Sequence, residues 1–122
     1  MVFMADIFVP CDACGGSRYR PDVLDVKVRG HSIRDVLDLT VDEAFAMVVE
    51  RGLGEVIYTD ISTDGMLGGP NLHAYEHILR SFPGVSLIAS GGVSSIDDLA
   101  ALSRLSGIRG AITGKAVYDG RI

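Results

Sequence analysis

Four short clusters in this chain hold the residue types that move protons or bind anions. Cys11-Asp12-Ala13-Cys14-Gly15-Gly16 joins two thiols to a carboxyl, and Thr59-Asp60-Ile61-Ser62-Thr63-Asp64-Gly65 joins hydroxyls to two carboxyls. Ser90-Gly91-Gly92 and Gly114-Lys115 are rich in glycine, the second with an ammonium attached. Carboxyls and hydroxyls transfer protons, and glycine lets backbone approach a ligand closely. Each residue also has a plainer use. Asp12 fits a loop aspartate that caps backbone amides, Asp64-Gly65 is a turn signal, Thr59 at a strand end fits a backbone bond, and Lys115 fits a solvated lysine. Asp60 is read as structural.

Two other patterns carry less. Cys11-x-x-Cys14 has the spacing of a redox pair, but in redox folds that motif opens a helix, whereas here Gly15-Gly16 follows. His73 and His77 stand four apart on one helical face, opposite Leu72, Tyr75 and Leu79. That face is read as solvent, and the distance in sequence from Cys14 to His73 is no zinc-finger spacing. No metal and no cofactor is implied.

The clusters follow short runs rich in β-branched residues: Ile7-Phe8-Val9-Pro10, Glu55-Val56-Ile57-Tyr58, Val85-Ser86-Leu87-Ile88-Ala89 and Arg109-Gly110-Ala111-Ile112-Thr113. Amphipathic helices lie between them. Thr40 with Glu43 is a capping-box pattern ahead of Val41, Ala44, Phe45 and Val48. Asn71 caps a helix carrying Leu72, Tyr75, Ile78 and Leu79, which Pro83-Gly84 ends. Ser95 with Asp98 opens another, buried through Ile96, Leu99, Leu102 and Leu105. The alternation implies parallel strands joined by crossovers in a sheet covered on both faces, either doubly wound or a piece of a barrel. All the clusters fall at the carboxyl ends of strands. Barrel enzymes keep their chemistry there, and although open sheets obey a similar rule, the placement favours the barrel.

The chain has 122 residues, 48% of them apolar, enough for one core and too few for two ordinary domains. A net charge of −5, with no run of Lys or Arg, argues against a nucleic-acid surface. No stretch approaches the roughly 20 apolar residues of a membrane helix, and the opening Met1-Val2-Phe3-Met4-Ala5-Asp6 lacks the charged start of a secretory signal. An acidic, cytoplasmic protein is expected.

From Glu55 onward the chain resembles the phosphoribosylformimino-aminoimidazole-carboxamide ribotide isomerase family of histidine biosynthesis. The residues that carry the likeness are Tyr58 to Gly65, Gly69-Pro70-Asn71-Leu72, Ala89 to Ser95, and Gly110 to Ala116, in order and at natural spacing. Upstream, Asp12 to Gly16 resembles the loop after that family's fifth strand, and Val26-Lys27-Val28-Arg29-Gly30 the stretch that follows it. Cys14 and Ser17 stand where basic residues are usual, and Ser17 to Asp25 has no clean counterpart. The resemblance implies an α/β fold: residues 1–122 as a single domain, half of a (βα)8 TIM barrel, with four parallel strands and crossover helices and with the last helix missing.

The family's reaction is an aldose-to-ketose rearrangement of a phosphoribosyl amine. The resemblance places one of its two carboxyls on Asp12, implies the other on a first strand outside this chain, and assigns substrate positioning and proton traffic to Asp64 and Thr59. Loops after the last two strands of such barrels present backbone N–H groups to a phosphate, which implicates Gly91, Gly92, Gly114 and Lys115. The expected ligand is a phosphorylated sugar or a phosphate ion. Half a barrel exposes two strand edges and an apolar concave face, so a homodimer or a complementary half barrel is expected to close it. Two other functions fit the residues: isomerisation of phosphoribosylanthranilate, and a phosphate-binding module without catalysis.

Overall fold

The computed structural model describes residues 9–122. Contacts divide the chain into two units, residues 1–44 and 45–122. In the first, backbone bonds from Cys14 and Gly15 to the Cys11 carbonyl close a turn, and two short helices follow, α1 (Pro21–Leu24) and α2 (Ile33–Leu37). Pro21 opens α1, where its missing N–H costs nothing. Ser32 caps α2 in a reciprocal box with Asp35, and the Ser32 amide, at 2.8 Å, holds the Asp35 carboxyl below its ordinary range. Val28 and His31 form an isolated antiparallel bridge. Of the strand expected over Ile7–Pro10, Ile7 and Phe8 lie outside the described residues, and Val9 and Pro10 form no strand.

Helix α3 (Val41–Glu50) starts at the expected capping box: the Thr40 hydroxyl accepts from the Glu43 amide at 3.3 Å, and the Glu43 carboxylate accepts from the Thr40 amide at 2.8 Å. The second unit then alternates β1 (Glu55–Thr59), α4 (Leu72–Ser81), β2 (Ser86–Ser90), α5 (Ile96–Ser103), β3 (Ile108–Ile112) and the one-turn helix α6 (Lys115–Tyr118). The strands are parallel and pair in sequence order, so among the described residues the sheet has three strands rather than the four expected. Asn71 and Ser95 cap α4 and α5 through the amides of Ala74 and Asp98. Pairing passes from Leu87 opposite Ile108 to Ile88 opposite Gly110, which leaves Arg109 as the extra residue of a bulge.

One face of the sheet is covered. Val56, Tyr58, Leu87, Ala89 and Ala111 pack with Phe45, Tyr75, Ile78, Val85 and Leu102 in the core. Phe45 stacks on Phe82 with ring centroids 5.6 Å apart, and Tyr58 meets Tyr75 edge to face at 5.5 Å, geometries that aromatic quadrupoles favour. Among the described residues the other face is open. Its rows run Ile57–Ile88–Gly110 and Thr59–Ser90–Ile112, with Ile57 58% and Ile112 47% exposed. Ile96, expected in the core, is 60% exposed, because at the first position of α5 it precedes the turn that Leu99 and Leu102 bury.

Candidate functional site

At the carboxyl ends of β1, β2 and β3 lies a cavity of about 340 Å³ lined by Asp64, Gly65, Leu67, Ser90, Gly91, Gly92, Val93, Ile112, Thr113, Gly114 and Lys115. Five of the expected site residues therefore meet: Asp64, Gly91, Gly92, Gly114 and Lys115. Thr59, at the end of β1, is exposed in the row it shares with Ser90 and Ile112 on the open face. Asp12 belongs to the first unit, where it is exposed on the Cys11–Cys14 turn.

The wall nearest β1 is built around Asp60. Its amide donates to the Ser90 carbonyl at 3.1 Å, tying the loop to the end of β2. The Asp60 carbonyl accepts from the amides of Thr63 at 3.2 Å and Asp64 at 3.0 Å, winding the turn that delivers Asp64 to the cavity. The buried Asp60 carboxylate accepts from the Ser62 hydroxyl at 2.6 Å, the Ser62 amide at 2.9 Å and the Asn71 side-chain amide at 2.7 Å. These donors, the Ser62 hydroxyl first and then Asn71, hold the carboxyl below its ordinary range against the opposing effect of burial. Asn71 caps α4 with its oxygen and clamps Asp60 with its nitrogen, so one side chain joins helix start to loop.

Gly91 and Gly92 adopt left-handed conformations, φ +93° and +80°. A Cβ on Gly91 would stand 2.6 Å from the Asp60 carbonyl oxygen, and one on Gly92 would collide with the Gly69 carbonyl. The sequence suggested that these glycines make room for a ligand; the structure adds that the neighbouring loop requires them. Among the described residues the amides of Gly92, Val93 and Lys115 donate to no protein acceptor, which leaves N–H groups around the cavity.

Lys115, for which a solvated side chain was the alternative, donates from Nζ to the Gly65 carbonyl at 3.3 Å, bridging the loops after β1 and β3 beside Asp64. Thr113, not singled out in the sequence, has a buried Oγ1 with no hydrogen-bond partner. A buried hydroxyl left unpaired is costly, and this one sits in the lining of the cavity. Ser90, named in the sequence only as part of a glycine-rich cluster, lines it too. Both lay within the motifs that carried the family likeness, yet neither shows its position relative to a cavity by type or spacing alone.

Elsewhere, His73 and His77 are exposed on α4, and no group of three or more His, Cys, Asp or Glu side chains among the described residues is arranged to hold a metal. No helix among them is long and apolar enough to cross a membrane.

Comparison with known proteins adds a lineage. A family model described as "Histidine biosynthesis protein" matches residues 3–122. A relative from Maricaulis maris (strain MCS10), named 1-(5-phosphoribosyl)-5-((5-phosphoribosylamino)methylideneamino) imidazole-4-carboxamide isomerase, is 42% identical over 106 residues, covering 87% of this chain and 40% of the relative. The protein of that name from Paracoccus denitrificans (strain Pd 1222) is 41% identical over all 122 residues, 47% of its own length. That from Bacteroides fragilis (strain YCH46) is 55% identical over 73 residues, 60% of this chain and 30% of the relative. The chain thus spans less than half the length of these relatives.

Proposed function

This chain belongs to the family of histidine biosynthesis proteins, and we propose that it forms the carboxyl-terminal half of a (βα)8 isomerase that rearranges a phosphoribosyl aminoaldose to the aminoketose. The single observation that carries the reading is the cavity at the strand ends. Gly92, Val93 and Lys115 offer amides, Thr113 an unpaired hydroxyl, and Lys115 a cation to one phosphate of the substrate. Ring opening then needs a proton donor at the ring oxygen, and enolisation needs a base at the adjacent carbon. Asp12 is one member of that pair, with its partner on the other half of the barrel. Thr59, at the end of β1, and Asp64, in the loop after it, position the sugar and relay protons.

The open sheet face with Ile57 and Ile112 supports closure by a second set of strands, either another copy of this chain or a complementary half. The test is turnover of the aminoaldose measured against chain concentration, with and without a complementary half. Activity should appear on assembly, and Asp12→Asn should lower it by about 100-fold or more. Undiminished turnover by that variant would remove Asp12 from the mechanism. Phosphate binding without turnover in any assembly would favour a second reading, a non-catalytic phosphate-binding module, which the open face of the isolated half also suits.

A further inference from the structure

The Cys11-Asp12-Ala13-Cys14 segment has no part in the function proposed above apart from Asp12, yet its geometry is not that of two unrelated thiols. In sequence the objection to a redox pair is the absence of a following helix, whose amino end would stabilise a thiolate. The structure supplies the same donors by another route. Cys14 N–H donates to the Cys11 carbonyl at 3.2 Å and Gly15 N–H to the same oxygen at 2.7 Å, so the two cysteines stand at the first and last positions of one tight turn. Beyond it Gly15, Gly16 and Arg18 take left-handed conformations, φ +55°, +86° and +65°. Arg18 is one of the few non-glycine residues so placed. This run of left-handed residues curls the chain back just after Cys14, a backbone form that gathers N–H groups toward an anion. The Gly16 amide first, then that of Arg18, and further the Cys11 and Ser17 side chains, lower the Cys14 thiol from its ordinary value. Ser17 anchors the arrangement: buried, its hydroxyl lies 2.6 Å from the Cys14 carbonyl and 2.8 Å from that of Tyr19. Cys11 is exposed and Cys14 half-buried, so a small reagent reaches the pair.

We propose that Cys11 and Cys14 are a thiol–disulfide exchange site, with Cys14 as the attacking sulfur, Cys11 as the resolving one, and low-molecular-weight disulfides as the reactant class. The Cys14 thiolate attacks one sulfur of the small disulfide and expels the other half as a thiolate. Cys11, its proton lost to solvent, then attacks Cys14 in the mixed disulfide and releases the second thiolate. A Cys11–Cys14 bond forms, the protein loses two electrons, and the small disulfide gains them. A ring enclosing only Asp12 and Ala13 constrains the unfolded chain little and sits at the surface, the situation of labile disulfides rather than structural ones. Closing it also constrains the loop that carries Asp12. That consequence rests on the reading of Asp12 as a catalytic carboxyl, whereas the exchange chemistry does not.

The test is incubation of the full chain with mixtures of reduced and oxidised glutathione, acid quenching, alkylation and whole-protein mass measurement. The wild type should lose two hydrogen masses without retaining glutathione, and dithiothreitol should restore both thiols. Cys11→Ser should trap glutathione on Cys14, about tenfold faster than Cys14→Ser acquires it on Cys11. Persistent glutathione adducts or covalent dimers in the wild type, in place of the internal bond, would overturn the proposal, as would equal rates in the two variants. The wild-type measurement stands whether or not either variant folds, and none of the readouts depends on isomerase activity.

Discussion

Tyr75 holds its hydroxyl between the two backbone groups of Ser90, donating to the carbonyl at 2.9 Å and accepting from the amide at 3.1 Å. A fully buried side chain of α4 thereby fixes the strand end that lines the cavity. Burial raises the phenol above its ordinary range and keeps it protonated, as the donated bond requires. Tyr75→Phe preserves the ring packing and removes both hydroxyl bonds to Ser90. It should cost about 1–2 kcal/mol of stability, read as a lower urea midpoint with unchanged slope.

The carboxylate of Asp60 makes a prediction about pH. Its folded value lies below the ordinary range near about 4, so its stabilisation is complete above that value and is lost as pH falls through the depressed folded one. At neutral pH Asp60→Asn should be less stable than wild type by about 1–3 kcal/mol. The difference between the two proteins should shrink in acid, below roughly pH 4. Because Asp35 and Glu43 are also held low, the comparison with the variant, rather than the acid transition itself, isolates Asp60.

Glycines at the rim should separate into two kinds. Gly91→Ala forces a Cβ to within 2.6 Å of the Asp60 carbonyl at φ +93° and should destabilise by about 1–3 kcal/mol. Gly114 has φ −123° and nothing within 4 Å of a built Cβ, so Gly114→Ala should stay within about 0.5 kcal/mol of wild type in thermal melts.

Lys115→Ala removes the link to Gly65 and the cation at the cavity. Lys115 is exposed, so stability should change by less than about 1 kcal/mol. Phosphate affinity should fall several-fold, and the wild-type affinity should weaken with added salt more steeply than that of the variant. Amide chemical shifts of Gly92, Thr113 and Lys115 would follow the titration, and an unchanged dissociation constant would exclude Lys115 from the site.

The open sheet face invites a charge test. Ile57→Asp and Ile112→Asp alter side chains already exposed in this chain, so each should leave the monomer's stability nearly intact. Each should weaken association with a second copy or a complementary half, measured by sedimentation equilibrium. Association unaffected by either substitution would place the contact elsewhere.

What the sequence determined by itself was local. Thr40 with Glu43, Asn71 and Ser95 each announced a helix start, because a cap depends on residues within one turn of each other. Ordered glycine and acid motifs pointed to the family, and the matching family model covers nearly the whole chain. Contacts between segments distant in the chain had no such signature. That Gly91 yields to the Asp60 carbonyl, that Lys115 reaches Gly65, and that Thr113 buries an unpaired hydroxyl follow only from strands laid side by side. The apolar runs likewise fitted either a sheet covered on both faces or half a barrel with one face exposed, and only the structure shows Ile57 and Ile112 in the open. Alternation along a strand records which side chains share a face, but what covers that face is set by the elements packed against it.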